Sequence, residues 1–308
     1  MNNSIRPSIY AGLVRALVVI ALLASASASA QAALPIVLQV TSSAANTSGN
    51  ILTIDDSHFN AKPSLNLIVT QTVFSGTPVF NNNPVGVFYN VAAKRWTIFN
   101  EDGVAIPPGA VFNVLVPKFA TRINGGTNNS FANQTFFTFR KRNANALLLQ
   151  THVYDPFPMI TNGVFNGIIQ GGPVGFFFNP IVTTTPIPPS SGCWSVFNEN
   201  VLVPALAAAY TVADVTKAGT TATPYSFIFT TDASNIVSTF ATITNPLTNA
   251  KPNAVLFASH ISTTGGPVFD KFFAVGYDGN WVIIDEDNST MPTGISFVVT
   301  AFPAVTGS

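Results

Sequence analysis

The chain has 308 residues, with 13 Lys+Arg against 13 Asp+Glu, a formal net charge of +0, and 8% charged against 47% hydrophobic residues. A neutral chain offers no field to steer it onto nucleic acid, and an apolar fraction of this size excludes intrinsic disorder. The single cysteine, Cys193, excludes an intramolecular disulfide, so the fold must be held by its core.

The N-terminus reads as a secretory signal peptide over residues 1–30. Arg6 and Arg15 supply a positive flank, Leu13 to Ala24 is an apolar run interrupted by Arg15, and Ala28-Ser29-Ala30 is a small-residue cleavage signal. Such a run is too short for a permanent membrane helix, which needs roughly 20 apolar residues. Removing it takes away two arginines and no acid, which leaves a slightly acidic chain.

Beyond the leader, one pattern occurs three times. Trp96 opens WTIFNEDGVAIPPGAVFNV, Trp194 opens WSVFNENVLVPALAAAYTV, and Trp281 opens WVIIDEDNSTMPTGISFVV. Each copy carries a glutamate (Glu101, Glu199, Glu286) and an aromatic sixteen residues after the Trp (Phe112, Tyr210, Phe297). A second block lies upstream in the same order. Asn60-Ala61-Lys62-Pro63 and Asn249-Ala250-Lys251-Pro252 each lead into an apolar run, and Lys141-Arg142-Asn143-Ala144 does so in the second copy. The units span 36–118, 119–216, with a Pro-rich insertion at 180–193, and 225–303.

Within each unit the elements read as β. Alternation of Trp96 with Ile98, and of Phe112 with Val114, is the period-two pattern of a strand. The upstream run is apolar on both faces (Leu67 with Ile68, Leu148 with Leu149, Leu256 with Phe257), which predicts a central strand. VGVFYN, VGFFFN and FAVGYD form a further strand before each Trp strand, and Gly279-Asn280 marks a tight hairpin. The alanine-rich stretch from Val201 to Ala213 has some helical character, but the repeat register assigns it to strand. The expected fold is all-β: three tandem antiparallel units, sandwich-like or barrel-like, set as beads or around a pseudo-threefold axis.

No motif carries chemistry above background. The acidic turns around Glu101, Glu199 and Glu286 hold too few oxygens for calcium, which takes six to eight, and read as Asx-rich turns. His152 and His260 share a repeat position with Gln71, which points to hydrogen bonding rather than zinc ligation. Trp96, Trp194 and Trp281 lie on an apolar face and read as core. The nine signature residues are therefore assigned structural roles. No catalytic, metal-ligating or cofactor-binding residue is assigned.

On the segments Pro84 to Tyr89, Trp96 to Asn100, Pro107 to Val114 and Met291-Pro292-Thr293-Gly294, the chain resembles a tandem β-repeat domain-of-unknown-function family of bacterial exported proteins. The second copy departs most, since it lacks the M-P-x-G glycine and carries the insertion. The resemblance implies export and a β fold, and no reaction.

The expected function is a non-catalytic binding, adhesion or surface-structural protein, secreted or held in the cell envelope. Tandem copies gain avidity through effective concentration, and such a module predicts shallow, equivalent surfaces on all three units. The candidate partners are carbohydrate, another surface protein, or a second copy of the chain. Neither nucleic acid nor a stable membrane span is expected. Two alternatives are a secreted carbohydrate hydrolase, with a pocket near the 180–193 loop, and a self-assembling envelope subunit.

Overall fold

A computed structural model describes residues 35–303, apart from 75, 77, 128, 132, 140–142, 155–171, 181–191, 201–207, 217–224 and 263–265. The signal-peptide segment 1–30, most of the 180–193 insertion, and Lys141 and Arg142 of the second upstream block lie outside the described residues.

The strands follow the repeat. The first unit holds β1 (Ile36–Thr41), β2 (Thr47–Ser48), β3 (Ile51–Ile54), β4 (Ile68–Phe74), β5 (Val85–Asn90), β6 (Arg95–Asn100) and β7 (Val111–Val116). The second holds β8 (Ala120–Asn124), β9 (Ser130–Phe131), β10 (Gln134–Phe137), β11 (Leu148–Val153), β12 (Val174–Asn179), β13 (Cys193–Asn198) and β14 (Ala209–Asp214). The third holds β15 (Ser226–Thr230), β16 (Ile236–Val237), β17 (Phe240–Thr242), β18 (Val255–Ser262), β19 (Phe273–Tyr277), β20 (Trp281–Asp285) and β21 (Ser296–Phe302). The all-β expectation holds, and the alanine-rich stretch ends in a strand, β14.

The sheets do not follow the repeat. The described residues form three seven-stranded sheets, ordered β1-β7-β4-β19-β20-β17-β16, β2-β3-β6-β5-β11-β14-β8 and β15-β21-β18-β12-β13-β10-β9. Each is built from three strands of one unit and four of another. The first unit's four-stranded part joins the second unit's three-stranded part, the second joins the third, and the third returns to the first. Pairing within a unit is antiparallel, as the sequence suggests. Each joint between units is parallel: Gly86 lies opposite His152, Phe176 opposite Ile261, and Val275 opposite Thr72. Parallel strands need a long connection between them; here β5–β11 and β12–β18 are joined across one unit boundary, and β4–β19 across the whole second unit. The three units thus close into a ring, which selects the pseudo-threefold arrangement over beads.

The third unit has a sandwich core of its own between its two parts, whereas the core of the second merges with the axial cluster. In the third, Trp281 and Ile283 of β20 share a core with Leu256 of β18 and Phe297 and Val299 of β21. The other faces of β18 and β21 turn to the centre of the ring. Ile68, Leu149 and Phe257, equivalent residues of β4, β11 and β18, are all fully buried in one cluster. This explains why the central strands are apolar on both faces: one serves the unit's core and the other serves the axis.

The tryptophans anchor the turn upstream. Each is about 1% exposed, and its Nε1–H donates at 2.9 Å to the carbonyl oxygen of Lys62, Asn143 or Lys251. A buried indole needs such a partner, and the two sequence blocks are joined through it. In the first and third copies the chain turns at Ala61 and Ala250 with φ of 57° and 53°, a left-handed conformation rare for residues with a Cβ.

Candidate functional site

A closed ring of hydrogen bonds marks the axis. The Val69 N–H donates to Thr151 Oγ1 at 2.8 Å, the Gln150 N–H to Ser259 Oγ at 3.0 Å, and the Ala258 N–H to Thr70 Oγ1 at 3.3 Å. The donors occupy one repeat position and the acceptors the next, so each unit donates to its successor. Edge-on approach of three central strands leaves backbone groups without ladder partners, and buried N–H groups need one. A short hydroxyl side chain at that position supplies it.

One residue further along each strand, a second relationship links the units. Glu101 Oε1 lies 2.8 Å from His152 Nδ1, and Glu199 Oε1 lies 2.6 Å from His260 Nδ1. Each glutamate comes from the acidic turn of one unit, and each histidine from the central strand of the next. At the third junction Glu286 reaches the first unit, where the histidine's place is taken by Gln71. There its Oε1 accepts from the Asn81 N–H at 3.3 Å. Glu199 Oε2 likewise accepts from the Phe269 N–H at 2.7 Å, in the equivalent loop of the third unit.

The glycines beside these carboxylates have a steric reason. A Cβ on Gly86 would sit 2.7 Å from Glu101 Oε1, and one on Gly175 would sit 2.6 Å from Glu199 Oε1 and 2.8 Å from His260 Nδ1. The third copy carries Ala274 at this position, at the junction that lacks a histidine.

The flanking residues of each acidic motif make the turn. Asp102 Oδ1 accepts from the Val104 N–H, and Asp287 Oδ1 from the Ser289 N–H. The central glutamates are instead buried, 3–6% exposed. Burial pushes the Glu286 carboxyl up to about 8, which the Asn81 N–H opposes and the nearby Asp285 charge reinforces. Burial also raises Glu199, offset in part by His260. Phe112, Tyr210 and Phe297 sit directly opposite Gln71, His152 and His260 in the ladder. The His152 and Tyr210 rings meet edge to face at 5.4 Å. All nine signature residues therefore fall into two layers. The tryptophans lock each unit, while the glutamates and the aromatics surround the junctions.

At the centre lies a cavity of about 130 Å³, lined by all three units. Its wall holds Val69, Gln150 and Ala258, the Thr70, Thr151 and Ser259 positions, and Gln71, His152, Glu101 and Glu286. Pro84, Pro173 and Phe272 stand at equivalent places in it, as do Val85, Val174 and Phe273. The Gln71 and Gln150 amides each donate to a backbone carbonyl, of Val79 at 3.3 Å and of Val174 at 2.8 Å. Their carbonyl oxygens, and His152 Nε2, are buried without a hydrogen-bond partner. Lys271 also lines the cavity, with its ammonium paired to Asp287. Among the described residues, no group of three or more His, Cys, Asp or Glu is arranged to hold a metal ion.

Three stretches of the chain, 27–116, 86–166 and 187–301, match the family described as Domain of unknown function (DUF7452). The chain belongs to this family. The DUF7452 domain occurs in it three times in tandem, and the three mixed sheets arise from those three copies. No curated protein and no solved structure matches the chain. What the DUF7452 repeats build jointly, and no single copy has, is the axial cavity. Sequence reasoning did not find it, because its wall is drawn from every unit.

Proposed function

We propose that this chain is an exported, non-catalytic binding protein whose ligand site is the axial cavity. One observation carries the reading: all three units converge on a single cavity, and its lining brings together Gln71, Gln150, His152 and the carboxyl-bearing Glu101 and Glu286. Small-molecule sites are concave and carry convergent polar groups beside apolar ones, and this wall combines both, in about equal measure. The sequence led us to expect shallow, equivalent surfaces on every unit. The geometry favours one shared site instead.

A hydrolase has less support. A cavity of this order holds a molecule of roughly six heavy atoms, whereas a glycosidase must span a bond between two sugars. The Glu101–His152 and Glu199–His260 pairs join units, and the latter lies away from the cavity lining.

The test is thermal stabilisation of the purified chain by small amines, alcohols, amides and carboxylates. At least one class is expected to stabilise it saturably. Val85→Phe places in the first unit the residue that the third carries as Phe273, and so fills the cavity with a side chain the fold already accommodates. Saturable stabilisation abolished by Val85→Phe supports the site. No stabilisation by any solute, or stabilisation unchanged in Val85→Phe, overturns it.

A further inference from the structure

Each sheet ends on one side at the first strand of a unit: β1, β8 or β15. Register fixes what these edges present. The Ala301 N–H donates to the Tyr225 carbonyl and the Thr231 N–H to the Ile295 carbonyl, and successive residues of an antiparallel pair alternate in direction. Phe227 and Phe229 therefore aim their backbone groups at β21, while Ser226, Ile228 and Thr230 aim theirs away from the sheet. The same parity, set by Ser42 with Ala110 and by Gly125 with Ala208, turns Gln39 of β1 and Arg122 of β8 outward. Gln39, Arg122 and Ile228 are equivalent. Their ladder partners, Asn113, Thr211 and Val298, lie opposite Thr70, Thr151 and Ser259, the acceptors of the axial ring.

An open edge is a template for another strand, and proteins blunt it with charge, proline or short length. β8 carries the Arg122 guanidinium at its middle. On β1, Gln39 Nε2 turns back to Asn113 Oδ1 at 2.9 Å. β15 has neither device. Its five residues hold no charge and no proline, and Ile228 at its centre is 53% exposed. The strand is held from the other side, where Phe229 is buried and Phe227 packs against the third unit's core. The Ser226 and Thr230 hydroxyls bond across to Thr300 and Ser296.

The order of residues in β15 also selects its partner. Ser226-Phe227-Ile228-Phe229-Thr230 reads the same from either end in chemical class: hydroxyl, aromatic, aliphatic, aromatic, hydroxyl. Laid antiparallel on a second β15, it sets Ile228 opposite Ile228, Phe227 opposite Phe229 and Ser226 opposite Thr230. Matched apolar, aromatic and hydroxyl pairs across strands are stabilising. The charge nearest Ile228 in the chain is Asp232. In this arrangement the two Asp232 fall at opposite ends, roughly 26 Å apart along the strands, beyond the reach of repulsion in physiological salt.

We propose that β15 is a self-association edge, on which a second copy of this chain pairs its own β15 antiparallel about a two-fold axis at Ile228, making one continuous sheet of two. The Ile228 N–H and carbonyl of each copy bond to those of the other, and each Thr230 N–H bonds to the opposite Ser226 carbonyl. The Thr230 carbonyl is already taken by Asn235 Nδ2 at 3.0 Å. The contact is isologous and closes at two copies. A single strand pair is smaller than the roughly 1,600 Å² of a standard stable interface, so the dimer is weak and reversible.

Sedimentation velocity of the purified chain, over a series from micromolar to millimolar concentration, tests this. The wild type is expected to pass from monomer to dimer with no larger species. Ile228→Arg copies the residue that the second unit carries as Arg122, sets like charges opposite each other, and is expected to weaken the dimer at least about tenfold. Ile228→Pro removes an N–H that the β15–β21 ladder does not use, and is expected to weaken it as much. Gln39→Arg, on the β1 edge, is expected to leave association unchanged. A wild type that stays monomeric throughout, or that grows beyond the dimer, overturns the proposal without recourse to any variant. A dimer as tight in Ile228→Arg or Ile228→Pro as in the wild type, or one lost in Gln39→Arg, overturns it as well.

Discussion

Glu101 and His152 stand 51 positions apart, in different repeats, and their side chains meet at 2.8 Å in a buried junction. Glu199 and His260 repeat the arrangement one unit later at 2.6 Å. Removing one member of a buried pair strands the other, at a cost of about 3–5 kcal/mol. His260→Leu is therefore expected to destabilise the chain by about that much in urea denaturation. His260→Gln reproduces what the third junction already has in Gln71, keeps a donor, and should cost less than about 2 kcal/mol. Equal losses in the two variants would show that the pairing at this position is immaterial.

Glu286 makes stability depend on pH in a definite direction. Its folded carboxyl titrates near 8, against an ordinary value of 4.5. The folded state therefore favours the proton, and this contribution is complete below about pH 4.5 and lost as pH rises through about 8. The expected slope is a loss of roughly 1.4 kcal/mol per pH unit within that window. Glu199, also raised, acts in the same sense. Urea midpoints between pH 5 and 9 should fall for the wild type and fall less steeply for Glu286→Gln, which is also expected to be the more stable at pH 9. A wild-type profile that rises over this range would refute the assignment.

Gly86 and Gly175 are expected to tolerate no Cβ. Alanine at Gly175 would put a methyl 2.6 Å from Glu199 Oε1 and 2.8 Å from His260 Nδ1. Gly175→Ala should cost about 1–3 kcal/mol by overpacking. The reverse change in the third copy, Ala274→Gly, meets no such crowding and should cost only about 0.5–1 kcal/mol, through backbone entropy. Thermal melts of the two variants separate these outcomes, and equal shifts would remove the steric explanation.

Much of this was legible in the sequence, and the remainder has a physical reason for being hidden. Strand order, the hairpin at Gly279-Asn280 and the doubly apolar central strands follow from periodicity and repeat register. The equivalence of Gln71, His152 and His260 pointed to hydrogen bonding. The acidic motifs were read as turns, which accounts for Asp102 and Asp287 but not for the residue between the flanks. The signal for the buried glutamates was present: the flanks vary between Asn and Asp, the central Glu does not, and the glycine facing it is replaced only where the histidine is missing. The parallel joints had no local signal. The strands that meet, such as β5 and β11, come from different copies, and each is identical in pattern to one that pairs elsewhere.

Shared sheets make the ring one cooperative unit. A chain of three independent sandwiches would melt in up to three steps, and each would survive alone. Here removal of any one unit cuts two of the three sheets in two, strips one remaining central strand of its parallel partner and opens the axial hydrogen-bond ring. The full chain is therefore expected to unfold in a single calorimetric transition whose van't Hoff and calorimetric enthalpies agree. A fragment of residues 36–118 carries unpaired edges at β4 and β5 and should either fail to melt cooperatively or recover its partners by forming a trimer. Light scattering with circular dichroism distinguishes these. A monomeric fragment with a sharp melt of its own would mean that the sandwich core suffices and that the joints between units contribute little.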